Sequence, residues 1–143
     1  MFKVVKIMEF CYGHRLLDYD GKCANLHGHN GLVEIEIQTN QLDARGLVVD
    51  FGEIKAIVKK FLDENLDHKM ILSSQDPFVE ILRAQKEPLY VMKENPSAEN
   101  IAKLIFDYAR EKGLPVNEVR LWETRSSCAS YREASSRTSL PRT

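Results

Sequence analysis

The chain has 143 residues, the size of one domain and enough to bury a core without disulfides or a structural metal. Its composition, 43% hydrophobic and 29% charged, is that of an ordinary globular protein. A net charge of −1 excludes a global electrostatic case for nucleic acid or an anionic membrane, and no apolar run approaches a membrane span.

Three cysteines, Cys11, Cys23 and Cys128, are odd in number and widely spaced. That pattern argues against a disulfide framework and for reduced thiols in a cytoplasmic setting. The start, Met-Phe-Lys-Val-Val-Lys, carries no long apolar stretch behind its basic residues, so no secretory signal is expected.

Residues 2–12 are rich in β-branched and aromatic types and read as a strand, which Gly13 and His14 leave. Asp18 to Lys22 is a turn-rich loop. From His29 to about Thr39, Val33, Ile35 and Ile37 alternate with Glu34, Glu36 and Gln38, the period-2 pattern of a second strand. His27 and His29 share the parity of its apolar set. The two strands are expected to pair antiparallel through the histidine-bearing loop.

Asp50-Phe-Gly-Glu53 resembles a helix N-cap, and Phe51, Ile54, Ile57, Val58, Phe61 and Leu62 follow at helical spacing to about Asn65. Leu66-Asp67-His68-Lys69 ends that helix. Asp76-Pro77 opens a short helix to about Ala84, and Pro88–Met92 fits a short strand. Asn95-Pro-Ser97 is a strong helix start, Ile101, Leu104, Ile105 and Tyr108 supply its apolar stripe, and Gly113 and Pro115 stop it. Val116–Thr124 is a third strong strand, with a fourth around Ala129–Arg132. The order ββ, αα, ββ implies an α+β domain over 1–133, a four-stranded antiparallel sheet with helices on one face. Residues 134–143 have little to bury and are expected to form a disordered tail.

Three of the four histidines lie within sixteen residues. His27 and His29, two apart in an extended strand, point to the same side and can grip one metal ion, with His14 as a third nitrogen. Three protein ligands and an open position describe a catalytic zinc, although spacing alone does not separate zinc from iron, nickel or copper. Cys23 is a fourth ligand, a thiolate activated beside the metal, or an inert loop cysteine. Asp67-His68 is an acid–base pair or a helix-end histidine. Glu123 shares parity with Val119 and Leu121, where a carboxylate is costly unless paired. It is placed either to accept two hydrogen bonds from an amidine-like edge such as that of guanine or pterin, or to pair with Arg120, Arg125 or Arg132. Arg15, Lys22, Lys69 and Arg125 are candidate phosphate contacts or solvated charges.

Cys23-x-x-x-His27-Gly-His29, the upstream His14, Leu66-Asp67-His68-Lys69, Pro96-Ser97-Ala98-Glu99-Asn100 and Trp122-Glu123-Thr124 together resemble the 6-pyruvoyltetrahydropterin synthase family, in order over nearly the whole chain to about Arg132. The short chain and compact loops are more similar to its branch making 6-carboxytetrahydropterin for queuosine (7-deazaguanine) synthesis. The resemblance implies a tunnelling fold (T-fold) whose subunits join into barrels, usually a hexamer of two trimers. It implies zinc on His14, His27 and His29. Cys23 would be the proton acceptor, with Asp67 and His68 as its relay across a subunit interface, and Glu123 the pterin anchor. The implied substrate is 7,8-dihydroneopterin triphosphate, with no nucleic acid or membrane partner. The implied product is 6-carboxytetrahydropterin with loss of acetaldehyde and triphosphate. The alternatives are triphosphate elimination to the pyruvoyl product and a non-catalytic metal- or pterin-binding module. Ala24 after Cys23, where some members carry glutamate, speaks against a folate-type cleavage.

Overall fold

In a computed structural model, which describes residues 1–134, six strands form one sheet flanked by helices. The strands are β1 (Phe2–His14), β2 (His27–Thr39), β3 (Lys69–Ser73), β4 (Leu89–Met92), β5 (Val116–Thr124) and β6 (Ser127–Tyr131). The helices are α1 (Phe51–Ile54), α2 (Phe78–Ala84) and α3 (Ala98–Glu111), and α1 continues in wider π-type turns over Lys55–Lys59 and Leu62–Leu66. The spatial order is β4-β3-β1-β2-β5-β6.

The α+β class holds, and β1 and β2 pair antiparallel as expected. The four-stranded, all-antiparallel sheet does not. β3 and β4 extend it beyond β1, and both the β1–β3 and β3–β4 pairings are parallel. β3 is only five residues long and follows the helix without a glycine or proline to announce a turn. His68 makes that turn itself in the left-handed region, at φ 57. The ββααββ order is accordingly β1-β2-α1-β3-α2-β4-α3-β5-β6. β1 also runs two residues past Tyr12 to include His14, because Gly13 and His14 stay in register with Gly28 and His27. The expected tail lies outside the described residues, apart from Ala134, which follows β6 outside any element.

The helix signals correspond to real caps. The Asp50 carboxylate accepts from the Gly52 amide at 2.7 Å, and the Ser97 hydroxyl accepts from the Asn100 amide at 3.2 Å. The apolar stripes of these helices pack on one sheet face, where Val33, Ile35, Ile37, Val119 and Leu121 are fully buried or nearly so. That face holds the core. The opposite face carries Ile7, Leu32, Glu34 and Trp122 around an open groove of about 630 Å³. Glu36, on the polar parity of β2, belongs to that face. Glu36 is buried because Arg120, Lys3 and Gln38 converge on its carboxylate.

Candidate functional site

The β1–β2 register sets His14 directly opposite His27 and Tyr12 opposite His29. Alternate residues of a strand share a face, so this register alone stacks three imidazoles at one end of the core face. Their ring centroids are 4.5 Å (His14–His27), 5.1 Å (His14–His29) and 5.1 Å (His27–His29) apart. One ligand-capable atom from each lies within 4.8 Å of the others.

Backbone carbonyls fix two of the rings. His14 Nδ1 donates to the Pro96 carbonyl at 2.6 Å, and His27 Nδ1 donates to the Asn25 carbonyl at 2.7 Å. A carbonyl only accepts, so the proton sits on Nδ1, and in the neutral ring Nε2 keeps its lone pair. Burial pushes the His14 imidazole below its ordinary pKa, against the pull of the Pro96 carbonyl and Glu123. The Nε2 atoms of His14 and His29 are buried with no hydrogen-bond partner among the described residues. Across from them, Glu123 places Oε1 3.8 Å from His14 Nε2 and Oε2 3.5 Å from His29 Nε2. Imidazole nitrogens left buried without a partner beside a carboxylate are costly, and a cation bound there would satisfy them together. Imidazoles braced through Nδ1 by carbonyls are also how zinc ligands are held. The donor set therefore fits zinc with one open position.

Cys23 sits half-buried in a 3-10 turn, Lys22–Ala24, on the loop joining β1 to β2. Its carbonyl accepts from the Leu16 amide at 2.8 Å. Asn95 clamps the same loop, accepting from the Leu17 amide and donating to the Leu17 carbonyl, both at 2.9 Å. Cys23 stands outside the convergent donor set among the described residues. It shares a cavity of about 310 Å³ with His14, Glu123, Ser97 and Glu99. Its position is thus beside the histidines, not among them.

Asp67 and His68 lie elsewhere in the chain. Asp67 Oδ1 accepts from the Cys11 amide at 2.8 Å, and its Oδ2 accepts from His68 Nδ1 at 2.9 Å. Burial would raise the Asp67 pKa, but the Cys11 amide and His68 outweigh it and hold the carboxyl below its ordinary range. The His68 side chain is 79% exposed. His68 borders a cavity with Cys11 and Met70 that shares no lining residue with the cavity of Cys23, so a single chain does not bring the pair to Cys23.

Of the candidate phosphate contacts, Arg15 is engaged by Asp76 through hydrogen bonds of 2.7 and 2.6 Å, and Lys69 donates to the Glu64 carbonyl. Arg120 pairs with Glu34, Glu36 and Glu118, which leaves Glu123 facing the histidines. Sequence reasoning missed Tyr12, beside the histidines, whose hydroxyl is buried with no partner among the described residues. Its signal was its spacing, two residues before His14 in the same strand. The bracing carbonyls of Asn25 and Pro96 carry no side-chain signature.

The profile of the family described as 6-pyruvoyl tetrahydropterin synthase matches residues 3–134. A 6-carboxy-5,6,7,8-tetrahydropterin synthase of Rickettsia typhi is 36% identical over 137 residues, covering 88% of this chain and 96% of that protein. The protein of that name from Haemophilus influenzae is 32% identical over 141 residues, covering 93% and 100%. Among solved structures, an uncharacterised protein of Wolinella succinogenes superposes with a TM-score of 0.77 at 25% identity, covering 93% of this chain and 98% of that one. A Caenorhabditis elegans 6-pyruvoyl tetrahydropterin synthase does so at 0.70 and 21%, covering 93% and 96%, a likeness of fold.

Proposed function

The chain belongs to the 6-pyruvoyl tetrahydropterin synthase family, and from that membership we propose that it is a zinc-dependent carbon–carbon lyase. Its substrate is 7,8-dihydroneopterin triphosphate. With water, the reaction yields 6-carboxy-5,6,7,8-tetrahydropterin, acetaldehyde and triphosphate, a cytoplasmic step toward 7-deazaguanines. The observation that carries the reading is the set of three converging imidazoles with two buried, unpartnered Nε2 atoms facing Glu123. The names of the curated relatives support the carboxy product.

His14, His27 and His29 would hold the zinc. Bound there, it would act as a Lewis acid on the substrate's side-chain oxygens and acidify the neighbouring C–H. The Cys23 thiol, in the same cavity, takes that proton as thiolate. Asp67 and His68 relay the proton and come from a neighbouring subunit of a homohexamer built from two trimers. The exposure of His68 and its place in a cavity apart from that of Cys23 support that arrangement. Glu123 accepts from the pterin's amidine edge and fixes the ring against the histidines.

The test is product analysis. Zinc-loaded protein is incubated anaerobically with 7,8-dihydroneopterin triphosphate and the mixture read by mass spectrometry. The carboxy product with acetaldehyde is expected, and Cys23→Ala should keep its zinc and lose turnover. A pyruvoyl product would overturn the cleavage step. No turnover by a metal-replete, assembled protein would leave a binding module.

A further inference from the structure

Tyr12 is 3% exposed, yet its hydroxyl has no hydrogen-bond partner among the described residues. A buried phenol without a partner is expensive unless a ligand or a neighbouring group uses it. The ring is held rigidly. It stacks on Phe10 with centroids 4.9 Å apart and meets the His14 ring edge-on at 5.1 Å. Gly31 makes the slot: a Cβ there would lie 2.9 Å from Tyr12 Cε1 and 3.2 Å from Leu121 Cδ1. Glu123 is the carboxylate beside the same histidines: the Tyr12 ring lies 5.1 Å from the His14 ring and 5.7 Å from the His29 ring, and Glu123 oxygens lie 3.8 and 3.5 Å from the Nε2 atoms of those two histidines. No recorded hydrogen bond among the described residues reaches Glu123. Its near neighbours are the Nε2 atoms of His14 and His29, which carry no proton to give it once they serve a metal.

We propose that Tyr12 is a positioning residue whose hydroxyl donates to Glu123 and aims that carboxylate at the amidine edge of the bound pterin. This rests on the pterin reading of Glu123. A carboxylate has lone pairs enough to accept from the tyrosine and still receive two ligand N–H groups. A fixed donor on its protein side keeps its plane constant, and a bidentate contact needs a constant plane.

Tyr12→Phe removes one oxygen and leaves the packed ring. Fold and zinc content should match the parent protein. Two readouts then separate the questions. The first is neopterin binding to zinc-loaded protein, followed by the ligand's fluorescence. Tyr12→Phe should weaken it by about tenfold or more, the scale of a hydrogen bond to a charged group, with no further loss when combined with Glu123→Gln. The second uses no ligand. In infrared difference spectra of protein with ¹³C-carboxyl glutamate, the band lost in Glu123→Gln should shift in Tyr12→Phe. Unchanged neopterin affinity in Tyr12→Phe overturns the proposal and leaves the pterin reading intact. Loss of affinity that is additive with Glu123→Gln also overturns it, since that marks a structural tyrosine. If the parent binds no neopterin, the pterin reading fails. The infrared band then decides alone: a shift supports the Tyr12–Glu123 bond and a static band refutes it.

Discussion

Asp76 offers a sharp test of how the histidine end of β1 is anchored. Its side chain is 0% exposed, and both oxygens receive Arg15, Nε on one at 2.7 Å and Nη2 on the other at 2.6 Å. Oδ1 also accepts from the Phe78 amide at 2.8 Å, and the guanidinium lies 4.1 Å over the Phe78 ring. Asp76→Asn keeps the shape and one acceptor but sets an amide N–H₂ against an Arg15 donor. Breaking a buried pair by neutralising one partner costs about 3–5 kcal/mol. Arg15 retains 18% exposure, so water recovers part of its charge and the lower end, about 3 kcal/mol, is expected. For a chain of this size that is a fall in Tm of about 10 °C. The assay is urea unfolding of the parent, Asp76→Asn, Arg15→Met and the double variant. The double variant should be less destabilised than the sum of the singles, by about 1 kcal/mol or more. The pH dependence has a fixed sign. Burial would raise the Asp76 pKa, but Arg15 and the Phe78 amide outweigh it and hold the carboxyl below its ordinary 3.8. Its contribution is complete above the ordinary value and is lost as pH falls through the depressed one. Parent and Asp76→Asn curves should therefore converge in acid. A loss below about 0.5 kcal/mol at pH 7, or strict additivity, would refute the reasoning.

Two further outcomes concern the metal. Removing it with a chelator should lower Tm by several degrees, since free zinc at a hundred times Kd stabilises by about 2.7 kcal/mol, and zinc should restore it. His14→Asn and His29→Asn should abolish that response, whereas a Tm indifferent to chelation would mean that the imidazoles hold no structural cation. Gly28→Ala keeps every ligand, but its Cβ would come 2.9 Å from the Tyr12 carbonyl oxygen, a backbone atom that cannot turn aside. Prying β1 from β2 between His27 and His29 should weaken zinc binding about tenfold in competition with a chromophoric chelator. Unchanged affinity would show that the hairpin absorbs the methyl elsewhere.

What the sequence made legible was what period and local chemistry encode. Alternation in Val33–Ile37 placed His27 and His29 on the inner face, and the caps at Asp50 and Ser97 placed the helices. Parity likewise put Glu123 inside. Long-range pairing was not legible. β3 owes its place to parallel pairing with Tyr12–His14 on one side and with β4 on the other, and a five-residue run carries no sign of either partner. The burial of Glu36 was not legible either, because its neutralisers, Arg120 and Lys3, come from other strands. The bracing of His14 by Pro96 depends on a main-chain oxygen 82 residues away, which no residue type marks.

His14 and His27 are direct partners in the β1–β2 ladder, so all three imidazoles belong to one hairpin and everything between them, residues 15–26, hangs from a closed end. The ladder sets where the three imidazoles stand, and the loop that carries the thiol braces one of them, His27, through the Asn25 carbonyl at 2.7 Å. Lengthening or re-routing that loop ahead of Asn25 would carry Cys23 to a new position while leaving the nitrogens where the ladder and the Asn25 carbonyl put them. The hairpin also makes the site a register gauge. A slip of one residue between β1 and β2 would take His14 out of line with His27 and His29, so an ion that binds only the aligned set would favour the correctly zipped ladder over its nearest mispairing.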